Sequence, residues 1–391
     1  MKILLATAYE YPHIGGLSTH VTTLKAGLEA RGHEVDVLSF ANIAPVVRKL
    51  YAQGPSYVMN KIRKGRGILW THHVRQNCVQ KLIEKNKHKN YCLINAQDPF
   101  STLAALETGI PVVSTVHGYA TFESISKGSM IEGSPEAKKF QSIEIKAYKG
   151  TRKIVTVDQR LKNYIKEVSG VEATAIRNFI DIHSFKPDKG KRQEFRAQYG
   201  VDQDEQVVFI PRRLVPKNGV IYPALSFPAV LQKYPKARLI YAGEGTQMAE
   251  IKRIAAENGI EDRVTLLGNV PHDKVKDYFA LSDIVIVPSV YSAGVEEATS
   301  ISALEAMGSG TPLIACAVGG LKEIVNPGVD GLLIEEKSAE QMAAAIMELL
   351  DNPERGAEMA RKAREKIEQE YSHITAAAKY EEIYLSALQM K

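Results

Sequence analysis

Short apolar runs, each closed by a polar loop and followed by a stretch with helical spacing, recur along the whole chain. Residues 3–6 open the series, and the stretch 22–30 shows helical spacing through Leu24 and Leu28 before Gly32. Residues 35–40 read as the next strand, and the alternation returns at 91–95, 111–117 and 153–157. A second set follows at 206–211, 238–243, 264–268, 284–288 and 312–316. Strands that alternate with helices in this order predict an α/β fold with doubly wound parallel sheets, and two such sets predict two Rossmann-like halves. The seam falls near 182–204, where the polar stretch 186–192 carries both Pro187 and Gly190. The last segment, 374–391, is helical with Tyr380, Ile383, Tyr384 and Leu388 on one side, so it needs a surface to cover.

A length of 391 residues suits two domains, and 45% hydrophobic residues with 24% charged ones exclude a disordered or collagenous chain. The apolar run at the N-terminus is too short for a signal peptide, and no stretch reaches the ~18 uncharged apolar residues of a membrane span. A cytoplasmic protein is expected. Cys78, Cys92 and Cys316 are odd in number and lack metal-ligand spacing, which predicts reduced thiols. The net charge of +5 is unevenly spread, because residues 42–90 hold eleven Lys/Arg against the single acid Glu84.

Three segments are candidates for chemistry. The loop 8–20 joins a strand to a helix and sets Gly15 and Gly16 just before the helix start. Paired glycines allow a close backbone approach to a phosphate, although a tight turn alone would use them equally well. Residues 211–219 (PRRLVPKNG) place several cations at the carboxyl end of the first strand of the second half. Open α/β sheets bind ligands at that edge, and an Arg and a Lys converging there could neutralise a diphosphate. In the third segment, Glu297 and Glu305 stand on either side of a helix start that Thr299 or Ser300 can cap, with Ile301, Leu304 and Met307 as its apolar residues. Two carboxylates at this spacing can accept hydrogen bonds from sugar hydroxyls on either side of a bound phosphate.

The stretch from Glu297 through Glu305 to Pro312 resembles the E-x7-E signature of retaining GT-B glycosyltransferases of family four. Other landmarks of that family follow in order: the Gly15-Gly16 loop, the strand end at 114–118, residues 176–181, the Arg213-Leu214 loop, 241–245, 263–271, Ser282-Asp283 and Pro288-Ser289. The resemblance implies two Rossmann-like domains facing each other across a cleft. The first would be residues 1–181, with 372–391 crossing back to it, and would meet the acceptor. The second, 182–371, would hold a nucleotide-sugar. It further implies that Glu305 holds the nucleotide ribose and that Glu297 touches sugar hydroxyls. Backbone groups of Ala298, Thr299, Ser300 and Ile301 would hold the diphosphate, and Arg213 and Lys217 would neutralise it. His117 would lie near the donor sugar, Gly16 and Gly15 would approach the phosphate, Gly243 belongs to the donor loops, and Asn269 and Val270 would meet the base through main chain.

This chain departs from the family pattern Arg-Leu-x-x-Glu-Lys-Gly, since Lys217 stands one position early and Asn218 takes the lysine's place. Either Lys217 reaches the phosphate from a shifted loop, or Asn218 meets it with neutral hydrogen bonds. The implied chemistry needs no metal or other cofactor: cations and a helix dipole stabilise the departing diphosphate, and the acceptor attacks on the same face. UDP-sugars are favoured by family frequency, with UDP-GlcNAc, UDP-Glc and GDP-Man as options, in cell-envelope polysaccharide or glycolipid synthesis. A sugar-nucleotide epimerase or a non-catalytic nucleotide-sugar-binding subunit are the competing readings. In the basic segment, Arg48, Lys49, Lys61, Arg63, Lys64 and Arg66 interleave with apolar residues and with Trp70, the only tryptophan. That mixture suits an anionic membrane surface at the inner face and a lipid-linked or glycan acceptor. Nucleic acid is not expected, because no binding module accompanies the charge. His72, His73 and His88 lack companion ligands and read as surface histidines.

Overall fold

A computed structural model describes residues 1–13, 15–188, 190–291 and 299–390. The chain divides into two compact units, Met1–Asn178 with His373–Lys391, and Phe179–Ser372. The first contains β1 (Lys2–Thr7), β2 (Glu34–Ser39), β3 (Leu93–Ala96), β4 (Val112–Val116), β5 (Lys153–Thr156) and β6 (Thr174–Ala175), all parallel in the order β2-β1-β3-β4-β5-β6. The second contains β7 (Val207–Ile210), β8 (Arg238–Tyr241), β9 (Val264–Leu266), β10 (Ile284–Val287), β11 (Leu313–Cys316) and β12 (Leu332–Ile334), parallel in the order β12-β11-β10-β7-β8-β9.

The strands are apolar without alternation because both faces of each sheet are covered. In the second unit Val208, Ile210, Leu239 and Ile286 pack on one side with the helices Ile221–Lys233 and Ala339–Asp351. Val207, Phe209, Ile240 and Val285 pack on the other with His272–Leu281 and Ile301–Gly308. Successive residues thus serve opposite cores, as the strand's period of two requires. In the first unit the C-terminal helix His373–Gln389 lies against Gly16–Ala30, and a Cβ added at Gly27 would meet the His373 carbonyl oxygen at 2.4 Å. The surface that the apolar stripe of that last helix requires is therefore the first Rossmann-like unit.

Two strands and one helix boundary differ from expectation. β6 and β12 span two and three residues, too few to show a period. The first helix starts at Gly16, close to where the paired glycines put it but well before residue 22, where helical spacing first shows, because its opening turn carries polar Ser18, Thr19 and His20 and gives no apolar spacing to read.

In each sheet the first strand has its sequence successor on one side and a later strand on the other, which makes a topological switch point. At the switch between β1 and β3, Asp98 is buried and its carboxylate accepts from Ala8 N (2.7 Å), Thr7 Oγ1 (2.9 Å), Phe100 N (3.0 Å), Ser101 N (2.8 Å) and Ser101 Oγ (2.9 Å). It caps the helix Pro99–Leu106 and also fixes the loop that leaves β1. Asp98→Ala leaves several buried donors unmatched and is expected to cost on the order of 3 kcal/mol, while Asp98→Asn costs less; urea unfolding of the variants measures both.

Candidate active site

All strands of a parallel sheet end on one edge, so the loops after β7, β8, β9 and β10 lie together in the second unit. Arg212 follows β7 and is half-buried. Its Nη2 donates to Asn218 Oδ1 and to Ser289 Oγ, both at 2.9 Å, and its Nη1 donates to Ser300 Oγ at 3.1 Å. Ser289 follows β10, so this guanidinium bridges the β7/β10 switch point. Ser302 Oγ donates to Pro211 O at 2.8 Å and pins the start of the helix Ile301–Gly308 to the same loop. Asn218 is buried, with its Nδ2 on Arg213 O at 2.7 Å, whereas Arg213 and Lys217 are exposed.

Glycines let these loops nest. At Gly243, where φ is +148°, a Cβ would sit 2.2 Å from Arg212 O; at Gly245, where φ is +158°, it would sit 2.2 Å from Leu214 O. Leu214 N donates to Glu244 O at 2.9 Å and Gln247 N to Leu214 O at 2.8 Å, so the path of 212–214 is set by the loop after β8.

Thr299 and Ser300 are buried. Ser300 occupies the N-cap position of the helix 301–308, yet its hydroxyl makes no capping bond and instead accepts from Arg212. Ile301 begins the helix, and Glu305, one turn further on, is only 5% exposed. Glu305 Oε1 lies 2.8 Å from Nε2 of His272, whose ring also packs on Phe185 with centroids 5.2 Å apart. The hydrogen bond to Glu305 is the main cause that raises the His272 pKa above its ordinary value. Asn269 is exposed, with Nδ2 on Glu244 Oε2 at 2.8 Å, and Val270 is partly buried beside it. Glu297 and Ala298 lie outside the described residues.

In the first unit Gly15 adopts φ +152°, where a Cβ would come within 2.7 Å of the His13 ring, and Gly16 is exposed at the first helical position. His117 directly follows β4, with Nε2 2.9 Å from Gln97 Oε1, and its ring meets that of His20 edge-on at 4.6 Å. His20 is buried, with Nδ1 3.2 Å from Asn178 Oδ1 and Nε2 3.2 Å from the Tyr380 hydroxyl. Burial pushes His20 down to about 4 and, with the neighbouring His20, holds His117 well below the usual histidine range. Both rings are neutral at physiological pH, and His117 is a hydrogen-bonding group there and not a cation. The sequence singles out His117, but its supports Gln97, His20 and Tyr380 carry no motif.

The basic segment is helical through Pro45–Val47, Arg48–Gln53 and Gly54–Ile62 and then Arg66–Lys85. Arg48 pairs with Glu10 at 2.7 Å, and Arg63 and Arg66 reach buried Glu136 at 3.0 and 3.5 Å. Lys49, Lys61 and Lys64 have no carboxylate partner among the described residues, and Lys61 lies over the Tyr57 ring. Trp70 is partly buried and donates to Tyr51 O at 2.7 Å, so it fastens this segment, while Val46, Leu50, Tyr51, Tyr57, Val58 and Ile62 are the exposed apolar side chains. His72 is not a surface residue: it is buried and stacked on Phe100 at 4.0 Å. Among the described residues no cluster has the make-up of a metal site, and no helix is long and apolar enough to cross a membrane.

A cavity of about 800 Å³ lies at the opposite, amino-terminal edge of the second sheet, beside Asp283, Pro312 and Arg364. Its polar groups are spent on structure, because Asp283 pairs with Arg192 (2.6 Å) and Arg196 (2.8 Å) and Arg364 donates to the Phe185 and Gly308 carbonyls.

Since the folded-state pKa of His272 is raised, its pairing stabilises the fold fully below about pH 6.5, the unfolded value, and that stabilisation is lost as pH rises through the folded value. The His272 side chain is 53% exposed, so the effect is below about 1 kcal/mol. His272→Gln should therefore lower the melting temperature at pH 6 and converge with the parent at pH 9, as thermal unfolding across that range will show.

The sequence matches the profile of glycosyl transferases group 1 over residues 191–366 and that of glycosyltransferase family 4 over residues 14–184. It is 26% identical to an uncharacterised glycosyltransferase of Methanocaldococcus jannaschii, an alignment that covers 100% of this chain and 99% of that one. Over 51% of this chain and 52% of the relative, it is 31% identical to the GDP-mannose-dependent alpha-(1-6)-phosphatidylinositol monomannoside mannosyltransferase of Mycobacterium tuberculosis. The fold superposes on Anabaena HepE, solved with UDP and glucose, at a TM-score of 0.72 with 19% identity, covering 99% and 100% of the two chains. The carboxyl-edge site of the second unit and the two family profiles, one on each half, agree: the chain belongs to the GT-B glycosyltransferases of family four.

Proposed function

We propose that this enzyme moves a sugar, with retention and without a metal, from a nucleoside-diphosphate sugar to a glycan or lipid-linked acceptor of the cell envelope. The observation that carries the donor side is Glu305, a buried carboxylate one turn into the helix 301–308 and beside the carboxyl-edge loops. A carboxylate there can accept from both ribose hydroxyls while the N–H groups at the helix start face the diphosphate. Arg213 and Lys217, exposed on the loop after β7, supply positive charge, and Glu297 is assigned to the sugar hydroxyls. When the bond from the anomeric carbon to the β-phosphate oxygen breaks, its electron pair stays on the phosphate. The acceptor hydroxyl forms the new bond on the same face and gives its proton to that departing oxygen. Cations and helix N–H groups stabilise the charge that develops, so they act more strongly in the transition state than in the ground state. Neutral His117 hydrogen-bonds the transferred sugar.

UDP-sugars are the first donors to test; GDP-mannose, named for the Mycobacterium tuberculosis relative, is the second. On the acceptor side, Lys49, Lys61 and Lys64 among exposed Leu50, Tyr57 and Ile62 support docking on an anionic membrane.

A panel of UDP-, GDP- and ADP-sugars in EDTA should raise the melting temperature for one base class. At a hundredfold excess over Kd that is about 2.7 kcal/mol of stabilisation. The shift is expected to collapse in Glu305→Ala; a shift of equal size in that variant would remove Glu305 from the donor site. For the membrane contact, Lys49→Glu/Lys61→Glu/Lys64→Glu should abolish co-sedimentation with phosphatidylglycerol vesicles and leave the nucleotide shift in place. Equal sedimentation of parent and variant would argue against it.

A further inference from the structure

The family's lysine position is held here by Asn218, which raises the question of where the missing cation went. Asn218 is buried, and both ends of its amide are engaged: Nδ2 on the Arg213 carbonyl at 2.7 Å and Oδ1 on Arg212 at 2.9 Å. Its side chain is thus committed to holding a guanidinium. Arg212 is in turn placed by Ser289 after β10 and by Ser300 at the start of the helix 301–308. These bonds fix the orientation of the guanidinium. Ser300 accepts from Arg212 in place of capping its own helix, which brings an arginine to the segment where the donor reading above puts the diphosphate.

We propose that Arg212 is the residue that neutralises the β-phosphate of the donor, and that Asn218, in place of a lysine, positions it. The inference rests on the donor reading given above and identifies the cation within that site. Arg212 would take up the charge left on the β-phosphate oxygen when the bond to the anomeric carbon breaks and the acceptor oxygen replaces it; the acceptor's proton passes to the same phosphate. A planar guanidinium fixed by three bonds is preorganised for two phosphate oxygens, unlike a lysine on an exposed turn. The pairing also accounts for the asparagine ahead of Gly219.

The test separates charge from scaffolding. Titration calorimetry is run with nucleoside diphosphate and monophosphate of whichever base stabilises the parent protein. Arg212→Gln should weaken diphosphate binding about tenfold or more and monophosphate binding by less than about twofold. A lysine added in the same protein, Arg212→Gln/Asn218→Lys, should restore most of the diphosphate affinity, and Lys217→Gln should weaken diphosphate binding by less than Arg212→Gln does. Should Arg212→Gln fail to fold, Arg212→Lys carries the same comparison, with a smaller loss confined to the diphosphate. If no nucleoside diphosphate binds the parent protein, the donor reading itself fails. If the parent binds but Arg212→Gln loses both ligands equally or neither, or if Lys217→Gln gives a diphosphate-specific loss as large as or larger than that of Arg212→Gln, the donor reading stands and the assignment of Arg212 is overturned.

Discussion

Each sheet of this enzyme depends on a charged side chain at the point where its strand order reverses. The reversal parts two loops that leave neighbouring strands in opposite directions, and buried backbone groups there have no ladder to join. Asp98 meets that need in the first unit, gathering amides from the loop after β1 and from its own helix. In the second, Arg212 works through side chains, donating to Asn218, Ser289 and Ser300 and so tying the loops after β7 and β10 to the helix 301–308. The two differ in exposure. Asp98 is closed in and occupied by donors, so it holds structure; Arg212 is half-buried at the carboxyl edge of its sheet.

The same economy of partners appears at the histidines. His20 and His117 face each other within a network that runs through Gln97, Asn178 and Tyr380, and burial keeps both uncharged. A neutral pair can orient hydroxyls without adding charge. His272 is the opposite case, since a carboxylate beside it raises its proton affinity. Glu305 therefore has its own partner within the unit, the His272 ring.

The basic segment shows how net charge can mislead. Arg48, Arg63 and Arg66 look alike in sequence to Lys49, Lys61 and Lys64, yet the arginines are matched by Glu10 and Glu136, residues far away in the chain. The lone tryptophan, an apparent membrane anchor, hydrogen-bonds a backbone carbonyl of the segment it steadies.

Most strands, both Rossmann-like units and the helix that carries Glu305 were legible in the sequence, because buried parallel strands must be apolar runs and a helix must show its period. The two shortest strands and the polar first turn of the helix at Gly16 were not, since neither has a period to read. Only the tertiary structure decided which of two adjacent arginines turns inward. Arg212 and Arg213 are chemically identical, and their directions depend on the path of one loop. That path is fixed by the close approach of Gly243 and Gly245 and by the bond from Leu214 to Glu244, contacts with a loop some thirty residues further along the chain. A sequence can state that a cation is available, but the partners that aim it are brought together by the fold.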